Sequence, residues 1–277
     1  MGAVRELKFE SPSFIKRLRG MLGVDFYRLF HTPLFYIFLA IAAIIPAMIL
    51  GTGGMENPQT GQVSAQLYTN VWHIIAAESP LYVVNTIGEY ANMNMVFIFG
   101  GIMVSIFIGH DYKSGYVKQL FTTHAKKQDY MISKSLVCAF AMVCMCITYL
   151  LGSVAAGFLT GLSWEVNTSS LIVAILSKMI MSLGWASLYT FLNVIFRKYF
   201  GISIASSFFF GTGILIIGAA AILGNNSLLN IFLYGSSVYA CLSSNVLTLI
   251  VCLVCSVTWA AIYNVLGTRI LSKCDVY

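Results

Sequence analysis

The chain has 277 residues, of which 58% are apolar and only 9% charged, with a mean hydropathy of +0.84. So little polar surface cannot cover a water-soluble globule, which excludes soluble enzymes and soluble binding modules and predicts an integral membrane protein. The net charge of +6 does not point to nucleic acid, because the basic residues stand at the ends of apolar runs and not among aromatic stacking platforms.

Residues 1–10 are short and charged, without the apolar stretch of a signal peptide, so the chain is expected to start in the cytosol. Ser11 and Pro12 make a helix start, and Phe14, Ile15, Leu18, Met21, Leu22, Phe26, Leu29 and Phe30 recur at helical spacing. Lys16, Arg17, Arg19 and Arg28 lie opposite that stripe, so residues 11–32 read as an amphipathic helix on the membrane surface with its cations among the headgroups. Residues 33–51 form the first predicted span, with a kink expected at Pro46. An irregular outer loop follows around Gly53 and Pro58, with a short surface helix within 66–77. The second span, 93–109, has an alternative early start at Leu81.

The third span, 130–161, is longer than the roughly 20 helical residues a bilayer needs, so it should tilt or project. Asn167, Thr168 and Ser169, in the next outer turn, match a glycosylation pattern of little weight. Residues 171–196 and 200–223 are the fourth and fifth spans. Residues 224–240 carry no charge yet are too apolar for a solvated loop, and read as a short re-entrant element; the sixth span is 243–266. Every lysine and arginine except Lys178 falls on one side of this six-span, all-α arrangement, which places both termini in the cytoplasm.

The most informative connection is 110–129, between spans two and three. From His110 to Lys134 it carries Lys113, Lys118, Lys126, Lys127 and Lys134 against Asp111 and Asp129. Within it, Gly115 to Thr123 is long enough for a short helix that sets Tyr116, Leu120 and neighbouring apolar residues on one face, with Ser114 available as a cap.

Chemistry is sparse. The chain has no phosphate-binding GxxxxGK[ST], no HExxH and no GxSxG, and its four histidines sit at predicted boundaries or in the outer loop. The seven cysteines, most of them inside apolar runs, show no disulfide framework or metal-ligand spacing. No catalytic residue, metal site or cofactor is therefore expected in this chain. Lys178 is the ionisable side chain inside a span. It has two readings: snorkelling to the outer headgroups, or facing an internal cavity where backbone carbonyls or an anionic group meet it. Phe208, Phe209 and Phe210, about 100° apart on a helix, can place one or two rings in a common path.

The order of parts, with Asp111, Lys113, Ser114, Gly115, Tyr116, Leu120, Lys126, Lys127, Tyr130 and Lys134, resembles the type-2 ABC transporter permeases. The resemblance implies a single membrane domain over 1–277 in a bacterial cytoplasmic membrane. It also implies a coupling helix around Asp111, Ser114, Gly115, Tyr116, Val117, Lys118 and Leu120 that meets a separate ATPase subunit, which would hold the ATP and magnesium. A second permease copy would complete a dimer, with spans two and five, including Phe208, Phe209 and Phe210, along the translocation path. Export of hydrophobic or amphipathic peptides of antimicrobial or toxin-like type is the cargo this implies. Export of ions, drugs or lipid-linked sugars, and an immunity or scaffold protein that binds its ligand without transport, are the alternatives.

Overall fold

A computed structural model describes residues 13–52, 70–77, 94–122, 125–165, 167–223, 227–242 and 245–273. Ser11 and Pro12, most of the outer loop and the alternative start at Leu81 lie outside them. The described residues are helical, without a named strand, and six helical stretches are long and apolar enough to cross a membrane. In chain order the elements are α1 (Phe14–Phe30), α2 (Pro33–Thr52), α3 (Val71–Ala77), α4 (Met95–Lys113), α5 (Tyr116–Thr122), α6 (Lys127–Thr160), α7 (Thr168–Ile195), α8 (Phe200–Gly211), α9 (Ile214–Leu223), a 3-10 turn (Ser227–Ile231), α10 (Leu233–Leu242) and α11 (Leu247–Lys273).

The bundle is organised around α7, which packs against α11, α6, α10, α4 and α8. Its buried face is built from small residues, among them Ala174, Ser177, Ser182, Gly184, Ala186, Ser187 and Thr190. Without a hydrophobic drive between helices in lipid, such residues let backbones approach and hydroxyls bridge them. Ser256 of α11 does this directly: its hydroxyl donates to the Ile180 carbonyl at 2.7 Å and accepts from the Gly184 N–H at 3.0 Å. Asn167 explains its own tripeptide, since its side-chain oxygen caps α7 by accepting from the Ser169 N–H at 3.1 Å.

Several predicted boundaries shift, each for a local reason. Helix α2 runs continuously through Pro46. Helices α4 and α6 extend past the apolar runs to Lys113 and back to Lys127, so most of 110–129 is helix and not loop. The two carboxylates there, Asp111 and Asp129, are held in ion pairs, which removes the need for those turns to fray into water. Residues 71–77 are not a surface helix: Val71, Ile74 and Ile75 are buried in the bundle, and the Ile74 carbonyl accepts from the Tyr149 hydroxyl at 2.7 Å.

The fifth predicted span is two helices. Gly213 adopts φ +64° between α8 and α9, a left-handed conformation that terminates α8, and a side chain there would meet the Tyr234 ring. After α9, the turn at Ser227–Ile231 packs against α10, and α10 packs back onto α7 and α11. Their polar groups find protein partners: the Ile231 carbonyl accepts from the Trp259 indole N–H at 2.8 Å, and the Trp185 indole N–H donates to Ser237 at 3.0 Å.

Candidate functional site

At one end of the bundle, α1, the end of α4, α5 and the start of α6 meet over a set of buried charges. Lys134 is fully buried, and its ammonium lies 2.7 Å from Asp25 Oδ1 and 2.6 Å from Asp111 Oδ2. The other oxygen of Asp25 accepts from the Ser133 hydroxyl at 2.6 Å, and the other oxygen of Asp111 meets the Arg28 guanidinium at 2.5 Å. Two carboxylates and two cations thus form a closed, neutral quartet. Aromatic faces complete its walls: the Arg28 guanidinium stands 4.1 Å over the Tyr116 ring, and the Lys134 ammonium 4.8 Å from the centre of Phe107. One turn before Lys134, Asp129 pairs with Arg17 at 2.7 Å, a second tie between α1 and α6.

The electrostatics follow from this packing. Burial disfavours the Arg28 cation, but the charge and hydrogen bond of Asp111 outweigh it and hold the guanidinium above its ordinary value. Burial first, then the nearby Asp25 charge, pushes the Tyr116 phenol up, so a neutral ring lies under Arg28.

This geometry refines two expectations. Arg17 and Arg28, still partly exposed, are turned toward carboxylates on α6 and α4, whereas Lys16 and Arg19 are exposed positions. Likewise Val117 is not offered outward. It is buried with Tyr130, Met131, Val194 and Leu271, and Leu120 and Phe121 pack onto the same cluster. A seven-residue helix needs that apolar anchor to hold its place. The outward side of the connection is instead polar: Ser114, Lys118, Gln119 and Thr122. Asp111 is internal as well, a member of the quartet. Gly115 takes φ +74°, the left-handed turn that separates α4 from α5.

Asp25 was missing from the candidate residues, although the sequence carries a signal for it. It falls in register with Leu18, Leu22 and Leu29, on the apolar side of α1, where a carboxylate needs a buried partner.

The remaining candidates lie deeper. Lys178 is 7% exposed: its ammonium donates to the Ile75 carbonyl at 2.7 Å and stands 5.6 Å over the Tyr149 ring. Phe208, Phe209 and Phe210 are all partly exposed on α8, and they divide as helical spacing requires. Phe209 and Phe210 line a cleft of about 420 Å³ with Trp185, Leu233, Trp259 and Tyr263, whereas Phe208 is not part of its wall. On its other side α8 is fastened to α4 and α7 by a buried polar seam. Ser105 and Ser207 lie 2.7 Å apart, Asn193 donates to Ser105 at 3.1 Å, and Ser203 donates to Asn193 at 2.5 Å. Compared with known proteins, the chain matches no family model and no curated protein sequence.

Proposed function

We propose that this chain is the membrane-spanning permease subunit of an ATP-driven ABC exporter in a bacterial cytoplasmic membrane. Both termini lie on the cytoplasmic side, α1 lies at that surface, and the segment from Ser227 to Leu242 re-enters the outer leaflet. A separate ATPase subunit, holding ATP and magnesium, grips the connection between α4 and α6, and a second permease copy completes the pathway. The cargo is a hydrophobic or amphipathic peptide, for which the aromatic cleft at Phe209 and Phe210 is a fitting surface.

The observation that carries this reading is the suspended helix α5. It presents Lys118 and Gln119 outward while Val117 anchors it to the bundle, and the Asp25–Lys134–Asp111–Arg28 quartet ties α1, α4 and α6 into one unit directly behind it. A push on α5 is therefore delivered to two spans together, as alternating access requires.

The test is a search of the neighbouring reading frames for a nucleotide-binding subunit, co-expression with it, and reconstitution. Co-purification and peptide-stimulated ATP hydrolysis are expected. A chain that binds peptide tightly but neither retains an ATPase nor supports hydrolysis is a scaffold or immunity protein, and the exporter reading falls.

A further inference from the structure

A second charged site lies at the link from α7 to α8, apart from the quartet. A cleft of about 250 Å³ opens there between the end of α4, the end of α7 and the start of α8. At about 30 Å³ per water molecule this is room for roughly eight waters, enough for a phosphate group with its nearest substituents. Its walls carry three cations, Lys113, Arg197 and Lys198, and no carboxylate among the described residues.

Two further observations say what such a cleft lacks. Arg197 Nη1 is buried and has no hydrogen-bond partner among the described residues, an arrangement that is costly unless an acceptor arrives. Helix α8 also begins at this cleft, where Phe200 and Ser203 line the wall, and its N-cap Tyr199 supplies no side-chain cap. The N–H groups of Phe200, Gly201 and Ile202 have no carbonyl one turn back within the helix, and a 12-residue helix adds the positive end of its dipole. Cations, an orphaned guanidinium nitrogen and an uncapped helix start converge, and what satisfies all three is a doubly accepting anion.

We infer that this cleft binds a phosphate group, supplied by an anionic phospholipid headgroup or by soluble phosphate, with the half-buried Arg197 as its principal donor and Lys113 and Lys198 as flanking charges. The site needs no assumption about transport. Basic pockets between spans on the positively charged side of a membrane protein are suited to lipid headgroups. Occupation would clamp α4, α7 and α8 together, next to the Asn193 and Ser203 seam that already joins them.

The experiment uses the full chain, delipidated in a neutral detergent. Phosphatidylglycerol, phosphatidylcholine and inorganic phosphate are titrated separately, with bound lipid read by native mass spectrometry and the unfolding midpoint read in parallel. Phosphatidylglycerol is expected to bind and raise the midpoint, phosphatidylcholine not. Arg197→Gln should weaken that binding by about tenfold or more, the size expected for loss of a charge-assisted hydrogen bond. Protection by inorganic phosphate alone, lost in Arg197→Gln, assigns the site to soluble phosphate. If Arg197→Gln does not fold, the pair Lys113→Gln and Lys198→Gln, at exposed positions, carries the same test, with Lys273→Gln as a control that removes charge elsewhere. Equal binding by the wild type and these cleft variants, or binding equally sensitive to Lys273→Gln, overturns the proposal.

Discussion

Lys134 shows what a single side chain decides in this protein. With both carboxylates of its quartet buried, Lys134→Met leaves Asp25 and Asp111 sharing one arginine. Breaking a buried ion pair typically costs about 3–5 kcal/mol, so the unfolding midpoint in detergent should fall sharply. Neutralising Asp25 in the same chain restores the charge balance, so the double variant Lys134→Met with Asp25→Asn should lose less than the sum of the two single losses. Additive losses in that double-mutant cycle would mean that the two groups do not interact. Lys178 offers a second residue-level test. Lys178→Met strands the Ile75 carbonyl, and an unsatisfied buried acceptor costs about 1–3 kcal/mol, whereas a lysine in the headgroups would lose nothing. Thermal unfolding of the variant separates the two outcomes.

Among the elements, the spans were legible in the sequence and the quartet was not, for one physical reason. Lipid forces each crossing helix to declare itself as a local run of apolar residues, so Pro33–Thr52 and Thr168–Ile195 stand within a few positions of expectation. A charge cluster is a long-range object: Lys134 and Asp25 are 109 residues apart, and no local pattern joins them. The direction of α5 was hidden similarly, because Tyr116, Val117 and Leu120 suit an inward face as well as an outward one. The break in the fifth span turns on one backbone conformation at Gly213. Gly213→Ala should cost about 1–2 kcal/mol for the left-handed backbone alone, with more from contact with the Tyr234 ring. At Gly115, where the same conformation faces open space, Gly115→Asn should be milder than Gly115→Val. Chemical denaturation in mixed micelles ranks these variants.

At the scale of the whole molecule, and on the exporter proposal, the inward and outward sides of α5 should separate folding from coupling. Val117→Asp puts an unpaired charge into a closed apolar cluster and should destabilise the isolated chain. Lys118→Glu changes an exposed position outside that cluster, so the isolated chain should still fold while ATPase retention and peptide-stimulated hydrolysis fall several-fold. Unchanged hydrolysis in Lys118→Glu would remove the outward side of α5 from the coupling surface.

The quartet also imposes a timetable. Asp25 and Arg28 leave the ribosome first, yet their partners lie on α4 and α6, the last of them 109 residues later. At roughly 5–20 residues per second, α1 waits about 5–20 s after synthesis before Lys134 exists. Over that interval its four cations and one acid disfavour insertion into lipid as a misplaced first span. Only when α6 arrives do the charges cancel and the helix become fixed, which makes the quartet a latch closed by the order of translation.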